Sequence, residues 1–134
     1  MSQQRPPATS AQLALVRIGL LVGVLVFGGV AYFRNRDHPA AGGPTDVHLL
    51  RNVGSIIIVA AIAGIIVIRT RLDRARDEAS RMSLAIAGWS FGQMAALFGA
   101  VYFFLVGDPR WYAVGLVVLL ASFMLIPVRG ERAR

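Results

Sequence analysis

Residues 82–128, MSLAIAGWSFGQMAALFGAVYFFLVGDPRWYAVGLVVLLASFMLIPV, hold two long apolar runs that one short polar joint separates. The joint is Gly107-Asp108-Pro109. Glycine closes a helix in the left-handed conformation, aspartate caps the helix that follows, and proline suits its first turn. The pattern therefore predicts two antiparallel helices, over about 82–106 and 110–128, joined by a tight turn.

Two more apolar runs precede this pair, at about 11–33 and 53–68. A helix of ~20 apolar residues crosses the hydrocarbon of a bilayer, and an isolated strand cannot satisfy its backbone in lipid. The predicted fold class is therefore all-α, a polytopic membrane protein with four transmembrane helices in a compact bundle. Residues 1–10 are polar and contain proline, and we predict a disordered tail there. Residues 129–134 form a basic tail.

The composition supports lipid as the solvent. Of the 134 residues, 56% are hydrophobic and only 16% are charged, which is too little polar surface for a soluble domain of this size. The net charge of +7 would suit nucleic acid. However, the arginines stand at the ends of the apolar runs, where they anchor spans and face anionic headgroups. We expect the bilayer as a partner and no nucleic acid.

The chemistry-bearing residue types are scarce. The chain has no cysteine, and its two histidines lie in one polar loop. No nucleophile with a base, no metal-ligand cluster and no phosphate-binding loop is recognisable. We therefore expect no enzymatic activity, no metal and no cofactor.

The arginines predict the orientation. Nine of the fourteen fall on one side of the four predicted spans and four on the other, and the richer side is expected to be cytoplasmic. Both termini are then cytoplasmic. The fourteenth, Arg17, lies inside the first span near its cytoplasmic end. Its side chain either snorkels to the interface, which is the interpretation we favour, or pairs inside the bundle.

Small residues predict where the helices pack. In lipid, close approach of backbones replaces the hydrophobic drive between helices. The third span carries small residues at intervals of four, with one more beside them. The expected packing positions are Gly19 and Gly23 in the first span, Gly64 in the second, and Gly88, Gly92, Ala96 and Gly99 in the third.

Gln93 is the most unusual polar group in a predicted span, and Ser90 lies one turn before it. An amide in hydrocarbon needs a partner, because an unpaired one costs several kcal/mol. We expect a hydrogen bond to a neighbouring helix backbone or to Tyr102. The alternative is that Gln93, with Ser90 and Arg17, belongs to a functional polar site.

The segment Gln93-Met94-Ala95-Ala96-Leu97-Phe98-Gly99 supports that alternative. The stretch from Gly64 to Gly107 resembles the proteolipid rotor subunit of rotary ATP synthases, in which a carboxylate stands where this chain has Gln93. The resemblance implies an ion path at this position. The whole chain is also similar to uncharacterised small four-span proteins of bacterial inner membranes, which implies a fold and a location.

Two functions follow as expectations. The first is an accessory or assembly subunit, or a small homo-oligomer, of the bacterial inner membrane that acts through contacts between helices. Its partners are then other membrane helices. The second is a channel or transporter component, a degenerate relative of the ATP synthase proteolipid.

Overall fold

The computed structural model describes residues 10–37 and 44–127, which form four α-helices. They are α1 (Ser10–Asp37), α2 (Pro44–Arg74), α3 (Glu78–Val106) and α4 (Arg110–Leu125). No strand occurs in these two ranges, so the all-α prediction is confirmed. Apart from Ser10, which opens α1, the two predicted tails lie outside the described residues.

Three of the helices, α1, α2 and α3, are long and apolar enough to cross a membrane. They extend beyond the predicted spans. α1 continues to Asp37, and α2 begins at Pro44 instead of in the neighbourhood of Val53. Proline is well placed in a first helical turn, where its missing N–H costs nothing. Residues 44–51 belong to the polar segment between the first two predicted spans, where a loop was expected, and they are helical instead.

α4 is shorter than its predicted span. It has 16 residues and ends at Leu125, whereas we expected the helix to continue to Val128. Pro127 accounts for the difference, because a proline cannot donate the backbone hydrogen bond that would continue the helix and its ring clashes with the preceding turn.

The turn between α2 and α3 lies around Arg76. Asp77 caps α3, and its carboxylate accepts a hydrogen bond from the backbone N–H of Ser80 at 2.8 Å. Hydrogen bonds from Ser80 hold the pKa of this exposed carboxyl below its ordinary value. An anionic cap is favourable here because the helix N-terminus is the positive end of the helix dipole.

The joint between α3 and α4 has the predicted chemistry. Gly107 adopts the left-handed conformation at φ 83°, and its N–H donates to the Phe103 carbonyl at 2.9 Å. The Asp108 carboxylate accepts from the backbone N–H of Arg110 at 3.0 Å. Both groups satisfy backbone positions that a sharp reversal leaves open.

The four helices alternate in direction around α3, which contacts each of the others. Ser122 of α4 lies against Gly92 of α3, and Trp111 of α4 lies against Gly99 of α3, so these two helices run antiparallel. α2 also runs antiparallel to α3, whereas α1 runs parallel to it. We call the end where α1 and α3 begin the first end of the bundle, and the end that holds the α3–α4 turn the second end.

Candidate functional site

Arg17 makes the longest-range polar contacts in the described chain. Its side chain extends from α1 to the last turn of α4, where it contacts Phe123, 106 residues further along the sequence. Its Nη2 donates to the carbonyl oxygens of Phe123 at 3.1 Å and Ile126 at 2.6 Å. The guanidinium therefore caps the C-terminus of another helix.

The sequence of α4 explains why these carbonyls accept. The Phe123 carbonyl would receive the N–H of residue 127 in a continuing helix, but Pro127 has no N–H. Ile126 follows the last helical residue, and its own N–H donates back to the Ser122 carbonyl. Carbonyls at a helix C-terminus carry partial negative charge, which a cation stabilises.

Trp89 completes the contact from α3. It is fully buried, and its indole Nε1 donates to the same Ile126 carbonyl at 3.2 Å. The Arg17 Cζ lies 4.5 Å from the centre of the Trp89 ring, within cation–π distance. Arg69 of α2 donates to the Leu125 carbonyl. We call Arg17, Arg69, Trp89 and the α4 carbonyls that they contact the α4 cap cluster.

This arrangement overturns the interpretation that we favoured for Arg17. Snorkelling would carry the guanidinium out to the interface. Instead the side chain is half-buried and bonded within the bundle, which was the alternative. The physical reason is that α4 ends at Leu125, because Pro127 cannot continue the helix. The carbonyls at this helix end have no backbone partner, and they bind a guanidinium group strongly.

Gln93 lies on α3 and is half-buried, one turn after Trp89 and one turn before the buried Ala96. Its Oε1 is buried and accepts no hydrogen bond from any residue that the structure describes. The expected bond to Tyr102 or to a neighbouring backbone is therefore not formed by this oxygen. Ser90 lies apart from it, exposed, with its hydroxyl donating to the Ile86 carbonyl of its own helix.

The three predicted polar residues have different settings. Arg17 belongs to the α4 cap cluster, Gln93 follows Trp89 of that cluster by one turn of α3, and the Ser90 hydroxyl bonds within α3. Across the described ranges, no three side chains of the His, Cys, Asp and Glu types come close enough to hold a metal ion.

A second set of caps occurs at the other end of α1. Asn35 Nδ2 donates to the Phe103 carbonyl at 2.6 Å, and Arg34 Nη1 donates to the Phe104 carbonyl at 3.4 Å. The Arg34 Cζ also lies 4.0 Å from the centre of the Phe104 ring. α1 thus caps α4 at the first end of the bundle and α3 at the second end.

The glycines of α3 lie where backbones meet. A Cβ atom at Gly92 would lie 2.5 Å from the Ser122 Oγ, and one at Gly99 would lie 2.9 Å from the Tyr112 Cα. Gly88 faces Ile126 and Gly64 faces the Phe91 ring. Ala96 is fully buried.

Gly19 and Gly23 lie elsewhere, and our expectation that they pack within the bundle is wrong for the described residues. A Cβ atom at either would have no neighbour within 4 Å. Helical geometry gives the reason, since Gly19 is about 200° around the helix from Arg17. α1 contacts α3 and α4 through the opposite face, which holds Val24 and Gly28.

Trp89 and Asn35 were not predicted as cap donors, and Gly115 was not predicted as a contact position. One signal for the α4 cap cluster was available. Pro127 ends an apolar run before a full ~20-residue span is reached, and therefore predicts carbonyls that need donors inside the bundle.

The structure and composition define a helical membrane protein, since three of its helices have the length and apolar character that a bilayer requires. Comparisons with protein families, with characterised proteins and with solved structures give no match to this chain.

Proposed function

We propose that the chain crosses the bacterial inner membrane four times, with both termini in the cytoplasm. The α4 cap cluster supports a fourth span. α4 is about 24 Å long, less than the ~30 Å of the hydrocarbon core, so its C-terminal carbonyls would lie near lipid. Bare carbonyls there cost several kcal/mol, and donors from α1, α2 and α3 supply what water cannot.

The arginine distribution supports the orientation. Of the nine arginines of the richer side, five lie at the first end of the bundle, and they are Arg69, Arg71, Arg74, Arg76 and Arg81. The other four, Arg5, Arg129, Arg132 and Arg134, are assigned to that side by the sequence alone and lie outside the described residues. The four of the poorer side are Arg34, Arg36, Arg51 and Arg110.

Labelling of single cysteines tests this topology in a chain that has no cysteine of its own. We expect Ser2→Cys, Asp77→Cys and Arg132→Cys to react with a membrane-impermeant maleimide only after the cells are opened. Gly43→Cys and Asp108→Cys should react in intact cells. Rapid labelling of Asp77→Cys from outside would reverse the orientation.

We propose further that the protein acts through helix contacts, as an accessory or assembly subunit or as a small homo-oligomer. The observation that carries this proposal is the outer face of α1. Gly19 and Gly23 are four residues apart with open space above both, and apolar side chains such as Val22 and Val26 surround them. This is the spacing at which membrane helices approach one another closely.

Oxidative cross-linking in native membranes tests the helix contact. Val26 and Leu25 are both exposed, at 61% and 49%, but they point about 100° apart, and Val26 is the one beside Gly19 and Gly23. We expect Val26→Cys to give a cross-linked species and Leu25→Cys to give much less. Adding Gly19→Leu and Gly23→Leu should abolish the product. Equal products from both cysteines, insensitive to the two leucines, would contradict a specific contact.

A channel or transporter component, related to the ATP synthase proteolipid, is the second candidate. The observation that favours it is the buried Gln93 Oε1, which accepts no hydrogen bond from the described residues. A polar atom in that condition inside a membrane domain is costly and frequently functional. We rank it second because this chain has a glutamine where the proteolipid has its carboxylate.

Gln93→Glu separates the two candidates. A carboxyl group buried in hydrocarbon stays protonated at neutral pH, so the helix-contact function predicts that the variant neither reacts with a carbodiimide nor conducts protons. Both are measured in proteoliposomes, with the parent chain as background. Gln93→Leu should change stability by only about 0.6 kcal/mol, the average for a membrane hydrogen bond. Fast carbodiimide labelling together with proton flux would promote the transport function.

A further inference from the structure

A groove of about 690 Å³ opens at the second end of the bundle, between α1 and the α3–α4 turn. It is separate from the α4 cap cluster, which lies at the first end. Its volume falls in the range of roughly 300–1000 Å³ that is typical of sites for small molecules. The groove is open along one side.

The floor of the groove is apolar and held in place. Phe103 and Tyr112 stack with their ring centres 6.1 Å apart and their planes 25° from parallel. The Tyr112 hydroxyl donates to the Val24 carbonyl at 3.1 Å, which fixes the ring against α1. Gly28 lies directly under this ring, where a Cβ atom would come within 2.8 Å of the Tyr112 Cε1. Gly29 adds open space beside it.

The rim of the groove is polar and carries a cation. Tyr32, Asn35 and Arg36 line it from α1. The Asn35 amide is anchored through its nitrogen to the Phe103 carbonyl, so its oxygen remains as an acceptor. Arg36 is exposed and next in sequence to Asp37, which is also exposed. Arg34, two residues before Arg36, adds positive charge, and its side chain donates a hydrogen bond to the Phe104 carbonyl of α3.

We propose that this groove binds one anionic phospholipid. Its acyl chain would lie over Gly29 and the stacked rings, and its phosphate would meet Arg36 and the Tyr32 hydroxyl at the rim. An apolar floor that ends in a guanidinium and a phenol at the end of a membrane-spanning helix matches the division of a lipid into tail and headgroup. Charge complementarity selects the anionic class, since guanidinium groups bind phosphate through charge-assisted hydrogen bonds.

The shape of the groove also argues for a lipid instead of a second copy of the chain. A partner helix in a membrane packs against a row of small residues along the helix axis. α1 has such a row on its other face, at Gly19 and Gly23. The groove is instead a local depression with open space above Gly29, where the side chain is missing. The inference depends on the membrane location and is independent of the helix-contact function and of the orientation.

Native mass spectrometry of the purified full chain in detergent tests the proposal, with phosphatidylglycerol and phosphatidylcholine of matched acyl chains as probes. We expect phosphatidylglycerol to bind with a stoichiometry of one and at least several-fold more tightly than phosphatidylcholine. Arg36→Gln should weaken phosphatidylglycerol about tenfold, the effect of one lost charge-assisted hydrogen bond, and should leave phosphatidylcholine unchanged.

Gly29→Leu should weaken both lipids, because the new side chain enters open space in the groove without striking the protein. The matched control is Arg51→Gln, which changes an exposed arginine of the same end outside the groove. It should bind both lipids as the parent does.

Three results would overturn the site. They are equal binding of the two lipids by the parent, parent-like binding of phosphatidylglycerol by Gly29→Leu, and a dimer that dissociates in Gly29→Leu, which would make the occupant a second copy. Folding of each variant is checked by its thermal unfolding, and Gly29→Leu is expected to melt as the parent does.

Discussion

Gly92→Leu is expected to lower the free energy of unfolding by about 3 kcal/mol or more, because it inserts a side chain where α3 and α4 nearly touch. The first atom alone, a Cβ, would lie 2.5 Å from the Ser122 Oγ and 3.1 Å from the Leu119 Cα. Ser122 can change its rotamer, but the Leu119 Cα is backbone and moves only with the whole of α4. Unfolding in mixed micelles with increasing dodecyl sulfate measures the loss.

Gly19→Leu is the matched control for this variant, since the same substitution on α1 meets no atom within 4 Å. It should unfold as the parent does, or slightly later, because leucine favours a helix over glycine by about 0.5–1 kcal/mol. If Gly92→Leu and Gly19→Leu unfolded together, the α3–α4 contact at Gly92 would not be part of the native bundle.

The α3–α4 hairpin could be predicted because its signals are local. The left-handed Gly107 and the Asp108 carboxylate act on residues within four positions of themselves, so the sequence shows both the turn and its direction. The intervals of four on α3 likewise place Gly88, Gly92 and Ala96 on one face, whatever that face meets.

The rotation of α1 could not be predicted in the same way. In a soluble helix, the polar face marks the side that is turned away from the core. A membrane helix is apolar all round, so that mark is missing. Gly19 and Gly23 suggested the contact face, but α1 packs through Val24 and Gly28 on the opposite side. The contacts of Asn35 and Tyr112 depend on this rotation, and they escaped prediction for the same reason.

Gln93 and Arg17 illustrate a second limit. Both were recognised as unusual from the cost of polar groups in hydrocarbon. The cost indicates that a partner is needed, but it does not identify the partner. Arg17 has its partners 106 and 109 residues away, on a helix whose length was itself mispredicted. Knowing that α4 stops before Pro127 would have placed bare carbonyls near the first end of the bundle.

Arg17→Leu is expected to cost about 3 kcal/mol of stability, because it removes the donor to two carbonyls and the cation from the face of Trp89. In this variant the Trp89 indole still donates a hydrogen bond to the Ile126 carbonyl. The Phe123 carbonyl loses its bond to Arg17 and is therefore the group most affected. A leucine retains most of the apolar volume. The comparison with the parent, by unfolding in mixed micelles, therefore reports mainly on the lost polar contacts.

Pro127→Ala tests whether Arg17 is needed because Pro127 leaves the Phe123 carbonyl without a backbone partner. An alanine at 127 has the N–H that proline lacks, and in a continuing helix that N–H bonds to the Phe123 carbonyl. If Arg17 is needed because Pro127 leaves this carbonyl bare, the alanine should recover part of the stability lost in Arg17→Leu. It should change the parent much less. The expected coupling in the double-mutant cycle is about 1 kcal/mol, within the range for residues that share a partner.

The control is Arg71→Leu, which changes an exposed arginine at the same end of the bundle and should combine additively with Pro127→Ala. Additivity of Arg17→Leu with Pro127→Ala would instead mean that the stabilisation by Arg17 does not depend on the Phe123 carbonyl that Pro127 leaves bare.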